Sequence, residues 1–241
     1  MLTTMRQFTK ILTSLMVTAL IGIAGVKAQG VDPQAYYVDE KGFDQISRNI
    51  PDGQAPLDVT FRSNPTDMDD YSPSYEWHFR KLEPNEGFRE LFVRYEEDTQ
   101  YTFNESGTFN IVQKTRLEQD GTELDSVTIV ISIAESKLEF PNALSPNGDG
   151  RNDVLKAKEG WKSIVSFHAI IVNRWGQKLY EWFDPAGEWD GKYKGRVVKD
   201  GVYFLQVIAK GADGKEYHIR KDINLISGFT EGGSNSGTEQ P

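Results

Sequence analysis

The chain has 241 residues, a length that admits one large domain or two small ones. Its formal charge is −9, and acids and bases are interspersed along it, which argues against nucleic acid because phosphate binding needs a concentrated basic face. There is no cysteine, so disulfides and thiolate metal sites are excluded and any exported domain must hold by packing alone.

Residues 1–28 have the anatomy of a secretory signal peptide. Arg6 and Lys10 precede an apolar run over residues 11–24, and Val26-Lys27-Ala28 ends in a small residue suited to cleavage. The run is shorter than the roughly 20 apolar residues that span a bilayer. No cysteine follows it, so a lipoprotein leader is excluded. Cleavage removes three cations and no acid, so the mature chain carries −12.

Residues 29–54 mix apolar and charged side chains and end at Pro51-Asp52-Gly53, which reads as a lead-in with one edge strand. From residue 55 the chain becomes β-rich. Leu57, Val59 and Phe61 alternate with Asp58, Thr60 and Arg62, the period of a half-buried strand. Tyr75, Trp77 and Phe79 repeat the pattern, as do Val127, Ile129, Ile131 and Ile133. Asp120-Gly121 between them is a hairpin signal. Residues 134–139 form a connector. Beyond it, Val165, Phe167, Ala169 and Ile171 lie on one face of a strand, and residues 202–209 are apolar on both faces except Gln206, so both strands are expected to be central. Residues 228–241 are Gly, Ser, Thr, Asn and Glu in the main, and such a tail is expected to be disordered. Strands spaced about 8–12 residues apart with turn chemistry between them predict an all-β protein of two tandem immunoglobulin-like sandwiches.

Two resemblances sharpen that outline. Leu57-Asp58-Val59-Thr60-Phe61, Tyr75-Glu76-Trp77-His78-Phe79, Tyr101-Thr102-Phe103 and Gly107-Thr108-Phe109-Asn110-Ile111 make residues 55–136 similar to a PKD-type immunoglobulin-like domain. In place of that family's glycine-rich turn after the tryptophan strand stands Arg80-Lys81-Leu82-Glu83-Pro84-Asn85-Glu86-Gly87. The region 138–227 resembles the gliding-motility-associated C-terminal domain, the type B sorting domain of type IX secretion. The residues that carry this are Phe140-Pro141-Asn142-Ala143, Ser145-Pro146-Asn147-Gly148-Asp149-Gly150, Asn173-Arg174-Trp175-Gly176, Trp189-Asp190-Gly191 and Gly201-Val202-Tyr203, in that order. The resemblance implies a cargo signal read as a folded surface by the type IX translocon, a location at the cell surface attached to the outer membrane, and a PorP/SprF-type outer-membrane barrel as partner.

Within these motifs the residues of interest as a recognition surface are Asn173, Arg174, Trp175, Gly176, Trp189, Asp190 and Gly191. Arg beside Trp is a favoured anchor in binding hot spots. The competing reading has Trp175 capping the core with Arg174 stacked on it, and the weight of aromatic burial favours that one. Trp189-Asp190-Gly191 reads most simply as a turn. Asn147, Asp149 and Asp153 place oxygens at alternate positions as calcium loops do, but no bidentate Glu follows and Arg151 intrudes, so a turn closed by Asx hydrogen bonds is the stronger expectation. His78, His168 and His218 are not at metal-ligand spacing. The chain has no Gly-x-Ser-x-Gly, phosphate loop or His-Glu-x-x-His. The expectation is a non-enzymatic adaptor or structural component, without cofactor or small-molecule substrate. The alternative is a surface glycan- or protein-binding module that uses Tyr71, Tyr75, Phe88 or Phe92 of the upstream sandwich.

Overall fold

A computed structural model describes residues 30–68, 72–118 and 121–227; the expected leader (1–28), Tyr71 and the polar tail (228–241) lie outside them. The described residues form strands and no helix. In chain order the upstream strands are β1 (Gly30–Val31), β2 (Gln34–Val38), β3 (Asp44–Ser47), β4 (Asn49–Gly53), β5 (Leu57–Arg62), β6 (Pro65–Thr66), β7 (Pro73–Glu83), β8 (Gly87–Arg94), β9 (Thr99–Phe103), β10 (Gly107–Leu117) and β11 (Glu123–Ile133). The downstream strands are β12 (Ala143–Leu144), β13 (Leu155–Lys156), β14 (Ile164–Val172), β15 (Lys178–Trp182), β16 (Glu188–Trp189), β17 (Lys192–Tyr193), β18 (Arg196–Val197), β19 (Gly201–Gly211) and β20 (Glu216–Leu225).

The upstream sandwich packs a five-stranded sheet, ordered β4-β11-β10-β7-β8, on a four-stranded one, ordered β3-β2-β5-β9. Alternation along β5, β7 and β10 turns Phe61, Trp77, Phe79, Phe109 and Ile111 inward. Phe61 is the hub, with ring centroids 5.8 Å from Trp77, 5.5 Å from Phe79 and 6.4 Å from Phe103, in the tilted and edge-on arrangements that aromatic quadrupoles favour. The buried Trp77 indole N–H donates to the Glu96 carbonyl at 3.0 Å, so its burial leaves no orphaned donor. A buried tryptophan on the third core strand, with β5 and β9 in one sheet and β7, β10 and β11 in the other, is immunoglobulin wiring.

Residues 29–54 do more than lead in. They supply β2 and β3 to one sheet and β4 to the other, with Ala35 opposite Phe61 and Ile50 opposite Ile131, both buried in the core. β3 and β4 are short and polar, and β4 contains Pro51, so their own pattern is weak; they pair at the edges of the two sheets.

The downstream sandwich repeats this wiring. Its five-stranded sheet is ordered β12-β20-β19-β14-β15, with a short parallel edge strand (β12) on the last strand (β20), as β4 lies parallel on β11. β14 and β19 are interior strands, as their apolar composition predicts. The opposing layer has shrunk to the two-stranded ladders β13-β16 and β17-β18. Phe140, Leu155, Ile171, Trp189, Leu205 and Leu225 fill the space between. The Tyr203 hydroxyl donates back to the Lys199 carbonyl at 2.7 Å, the tyrosine corner of immunoglobulin-like folds.

The two sandwiches meet in a joint. Ala212, in the β19–β20 turn, is buried in the upstream core, and Val165 packs against that core from β14. The Ser106 N–H donates to the Ala212 carbonyl at 3.0 Å, and the Ala212 N–H donates to the Ser163 carbonyl at 2.9 Å. Buried Ser163 also accepts the Ala55 N–H on its hydroxyl at 3.3 Å. The connector is held as well: the Ser136 hydroxyl donates to Asp213 at 2.7 Å and lies 2.9 Å from the Tyr217 hydroxyl.

Candidate functional site

The β14–β15 hairpin closes through residues 173–176. Asn173 sets the turn: its side-chain oxygen accepts the N–H groups of Trp175 at 3.0 Å and Gln177 at 3.1 Å. The Gly176 N–H donates to the Asn173 carbonyl at 2.9 Å, the first-to-fourth bond of a β-turn. Gly176 has φ +76, the conformation that favours glycine at this place in a hairpin loop. Arg174 and Trp175 are thereby the two central turn residues, whose side chains leave the sheet. Trp175 is 82% exposed, and the Arg174 guanidinium sits 5.5 Å from the indole centroid. The expectation that Trp175 caps the core is corrected. Its size argued for burial, but its position in the turn decides against it.

Trp189 is the opposite case. It is fully buried, its indole N–H donates to the Lys192 carbonyl at 2.9 Å, and its ring lies 5.7 Å from that of Tyr203. It cannot contact a partner. Gly191 has φ +75 and is tightly enclosed: a Cβ there would stand 3.1 Å from Pro146 and 3.3 Å from Leu144 and Leu225. Asp190 is exposed and pairs with the Lys192 ammonium at 2.6 Å, which holds its carboxyl below the ordinary carboxylate value. Of the seven expected surface residues, Asn173, Arg174, Trp175 and Gly176 form one tip, while Trp189, Asp190 and Gly191 build the corner behind it.

That corner carries residues the sequence reading missed. After Gly191 the chain folds into the β17–β18 hairpin, whose turn residues Lys194 and Gly195 have φ +53 and +78, a type I′ turn. The Gln177 amide donates to the Tyr193 hydroxyl at 3.2 Å, which fastens this hairpin to the Asn173 turn.

The loop through Asn147, Asp149 and Asp153 is a set of Asx turns. Asp153 accepts the Gly148 N–H at 2.6 Å on one oxygen and the Gly150 N–H at 2.7 Å on the other. Those two donors hold its carboxyl below the ordinary carboxylate value. Asn147 Oδ1 accepts the Asp149 N–H at 3.0 Å, and Asp149 Oδ1 accepts the Arg151 N–H at 2.8 Å. The oxygens that would ligate calcium are turned onto the loop's own amides. Among the described residues no three His, Asp or Glu side chains converge as a metal site. His78 hydrogen-bonds Glu90 and Glu76, and His168 hydrogen-bonds Glu181.

The three described aromatics of the expected upstream patch, Tyr75, Phe88 and Phe92, are not exposed together. Tyr75 is buried, and Phe92 is stacked on Phe79 with centroids 4.6 Å apart. Phe88 is exposed, and Tyr71 lies outside the described residues. Instead, a cleft of about 860 Å³ lies on the β3-β2-β5-β9 sheet, and cross-strand register aligns Ile46, Tyr36, Thr60 and Gln100 along it.

Residues 138–220 match the family model of the CHU_C type IX secretion signal domain. No curated protein matches the chain. Among solved structures, SGBP-B of the Bacteroides ovatus mixed-linkage glucan utilization locus, in complex with a mixed-linkage heptasaccharide, is 12% identical over 74% of this chain, with a TM-score of 0.25. The chain spans 42% of that protein. The FN1–FN3 domains of chicken CNTN1 are 10% identical over 78% of this chain and 77% of theirs, with a TM-score of 0.26. Neither likeness bears on the fold, which rests on strand order and packing. The downstream sandwich thus carries the type IX secretion signal domain of the CHU_C family, behind an immunoglobulin-like sandwich of its own chain.

Proposed function

We propose that the protein is a non-enzymatic cargo of type IX secretion that serves at the cell surface as an adaptor or structural component docked on outer-membrane machinery. The observation that carries this reading is the match of residues 138–220 to a type IX secretion signal domain. The Arg174–Trp175 tip supports it as the point of contact, since exposed Trp beside Arg is the composition of a binding anchor. A PorP/SprF-type barrel is the partner that the family resemblance implies. The test places a folded reporter between the leader and the rest of the chain in a type IX-competent bacterium. Reporter accessible to added protease on intact cells is the expected result, with a version ending at residue 136 retained in the periplasm. Equal surface display of the two versions would remove the reading.

A second reading, a surface glycan- or protein-binding module, is favoured by the upstream cleft. Tyr36 offers an aromatic face there, with the Arg62 guanidinium 4.7 Å from its ring centroid, and Asp58, Thr60 and Thr102 offer hydrogen-bonding groups. It predicts retarded migration of the chain in gels containing a neutral β-glucan and normal migration of Tyr36→Ala. Unretarded wild type dismisses the glycan form of this reading.

A further inference from the structure

The chain is acidic overall, yet one end of its downstream sandwich is not. From Lys192 to Lys199 there are four cations and no acid, and from Arg174 to Lys178 two cations and no acid. The fold brings both segments to one place. The Gln177–Tyr193 hydrogen bond ties the turn bearing Arg174 and Trp175 to the hairpin bearing Lys194 and Arg196. The tyrosine corner then fixes Lys199 beside them through its carbonyl.

Two of these cations are neutralised at home: Lys192 by Asp190, and Lys178 by Glu181. Arg174, Lys194, Arg196 and Lys199 are exposed, and none has a carboxylate within ion-pair distance among the described residues. The nearby Asp200 is occupied by the Ser227 N–H and hydroxyl, which it accepts at 3.0 and 2.6 Å. Exposed apolar side chains lie among the cations: Trp175, Val197 and Val202.

We infer that this end of the sandwich docks on an acidic protein surface, with the indole of Trp175 entering an apolar slot and the four free cations meeting carboxylates around it. The inference rests on the sorting-domain reading and names the chemistry of its partner. Three features carry it. Arg174 and Lys194 occupy tight turns and Arg196 a two-residue strand of the same hairpin as Lys194, and Lys194 holds a positive φ that non-glycine residues adopt infrequently, so the backbone that carries these charges is set by hydrogen-bonded turns. Among the described residues of this end Trp175 is by far the most exposed apolar side chain, with Val197 and Val202 about half exposed beside it, which fits a slot in a protein better than the broad apolar face that seats a protein in a bilayer. The chain is acidic overall, so an acidic surface repels it on average while attracting this end, and the asymmetry favours encounters that lead with it.

The test uses the full chain, recovered after export, and outer membranes of the same type IX-competent bacterium. Sedimentation measures binding as salt is raised from about 50 to 500 mM, a range that shortens the screening length severalfold. Binding that weakens with salt, is lost when the membranes are first treated with protease, and is absent on protein-free phosphatidylglycerol vesicles is expected. The Lys194→Glu/Arg196→Glu/Lys199→Glu triple should bind roughly ten-fold more weakly or worse, because pairs become like-charge contacts, and its melting should match wild type. A Gln triple, which removes charge without reversing it, should fall between. Unchanged binding by the Glu triple, or equal binding of wild type to the lipid vesicles, overturns the inference. The reporter fusion separates the two ideas: surface display that survives the triple leaves the sorting reading standing and removes the acidic partner. A wild-type fusion that stays in the periplasm removes the sorting reading itself.

Discussion

Two tryptophans fourteen positions apart offer the sharpest check on how this domain is built. Trp189→Ala removes a fully buried ring from a core of Leu155, Tyr203 and Leu225, and it orphans the Lys192 carbonyl that the indole satisfies. Truncation of a buried tryptophan costs about 3–5 kcal/mol, and the lost hydrogen bond about 1 kcal/mol within that range. Because the joint couples both sandwiches, the appropriate conversion is that of a unit near two hundred residues, roughly 2–4 °C per kcal/mol, so melting should fall by roughly 6–20 °C. Trp175→Ala removes a larger exposed surface but almost no packing. It loses one exposed cation–π contact with Arg174, worth about 0.5–1 kcal/mol, so melting should shift by no more than about 4 °C. Thermal unfolding followed by circular dichroism on the full chain separates the two. If Trp175→Ala melts as low as Trp189→Ala, the account of the turn throwing its indole outward is wrong.

Other outcomes follow from the same geometry. A Cβ at Gly211 would stand 2.0 Å from the Ser136 hydroxyl and 2.3 Å from the Ser136 Cβ, so Gly211→Ala should cost about 1–3 kcal/mol and split one calorimetric transition into two; a single unshifted peak contradicts the joint. Asp153, whose carboxyl is lowered by the Gly148 and Gly150 amides, contributes stability to its loop above the ordinary value of 3.8, and that contribution is lost as pH falls through its lower folded value. The amide resonances of Gly148 and Gly150 should therefore stay constant down to about pH 4 and move below it, and Asp153→Asn should abolish the step. Added calcium should leave the melting temperature unchanged, since the loop oxygens already accept backbone N–H groups; a rise with calcium would show that the loop opens to take the ion.

Strands long enough to show their period were legible in the sequence. β5, β7, β14 and β19 alternate or run apolar as their places in the sheets require. Less legible were elements whose place is set by something distant. β3 and β4 carry charged residues and a proline, and they pair at the edges of the two sheets. As strings both recognition motifs set a tryptophan beside a charged residue and near a glycine, and they favoured burial for Trp175 and a turn for Trp189, the reverse of the exposures found. What separates them is phase: Trp175 occupies a central turn position, whereas Trp189 is the last residue of β16 and points inward. The basic end is half legible: the run from Lys192 to Lys199 shows in the sequence, but that Arg174 and Trp175 join it is set by the fold, through the Gln177–Tyr193 bond. The shared wiring of the two sandwiches was hidden because the second keeps only two-residue strands, β13 and β16, where the first has β5 and β9.

The joint also governs what a protease would accomplish. Ala212 sits inside the neighbouring lobe's interior, and Ser163 caps an amide of that lobe's chain at Ala55. A cut in the connector at residues 134–139 would therefore leave the lobes touching through these contacts alone, and elution of the nicked chain from a sizing column, as one species or two, would measure how firmly so small a joint holds.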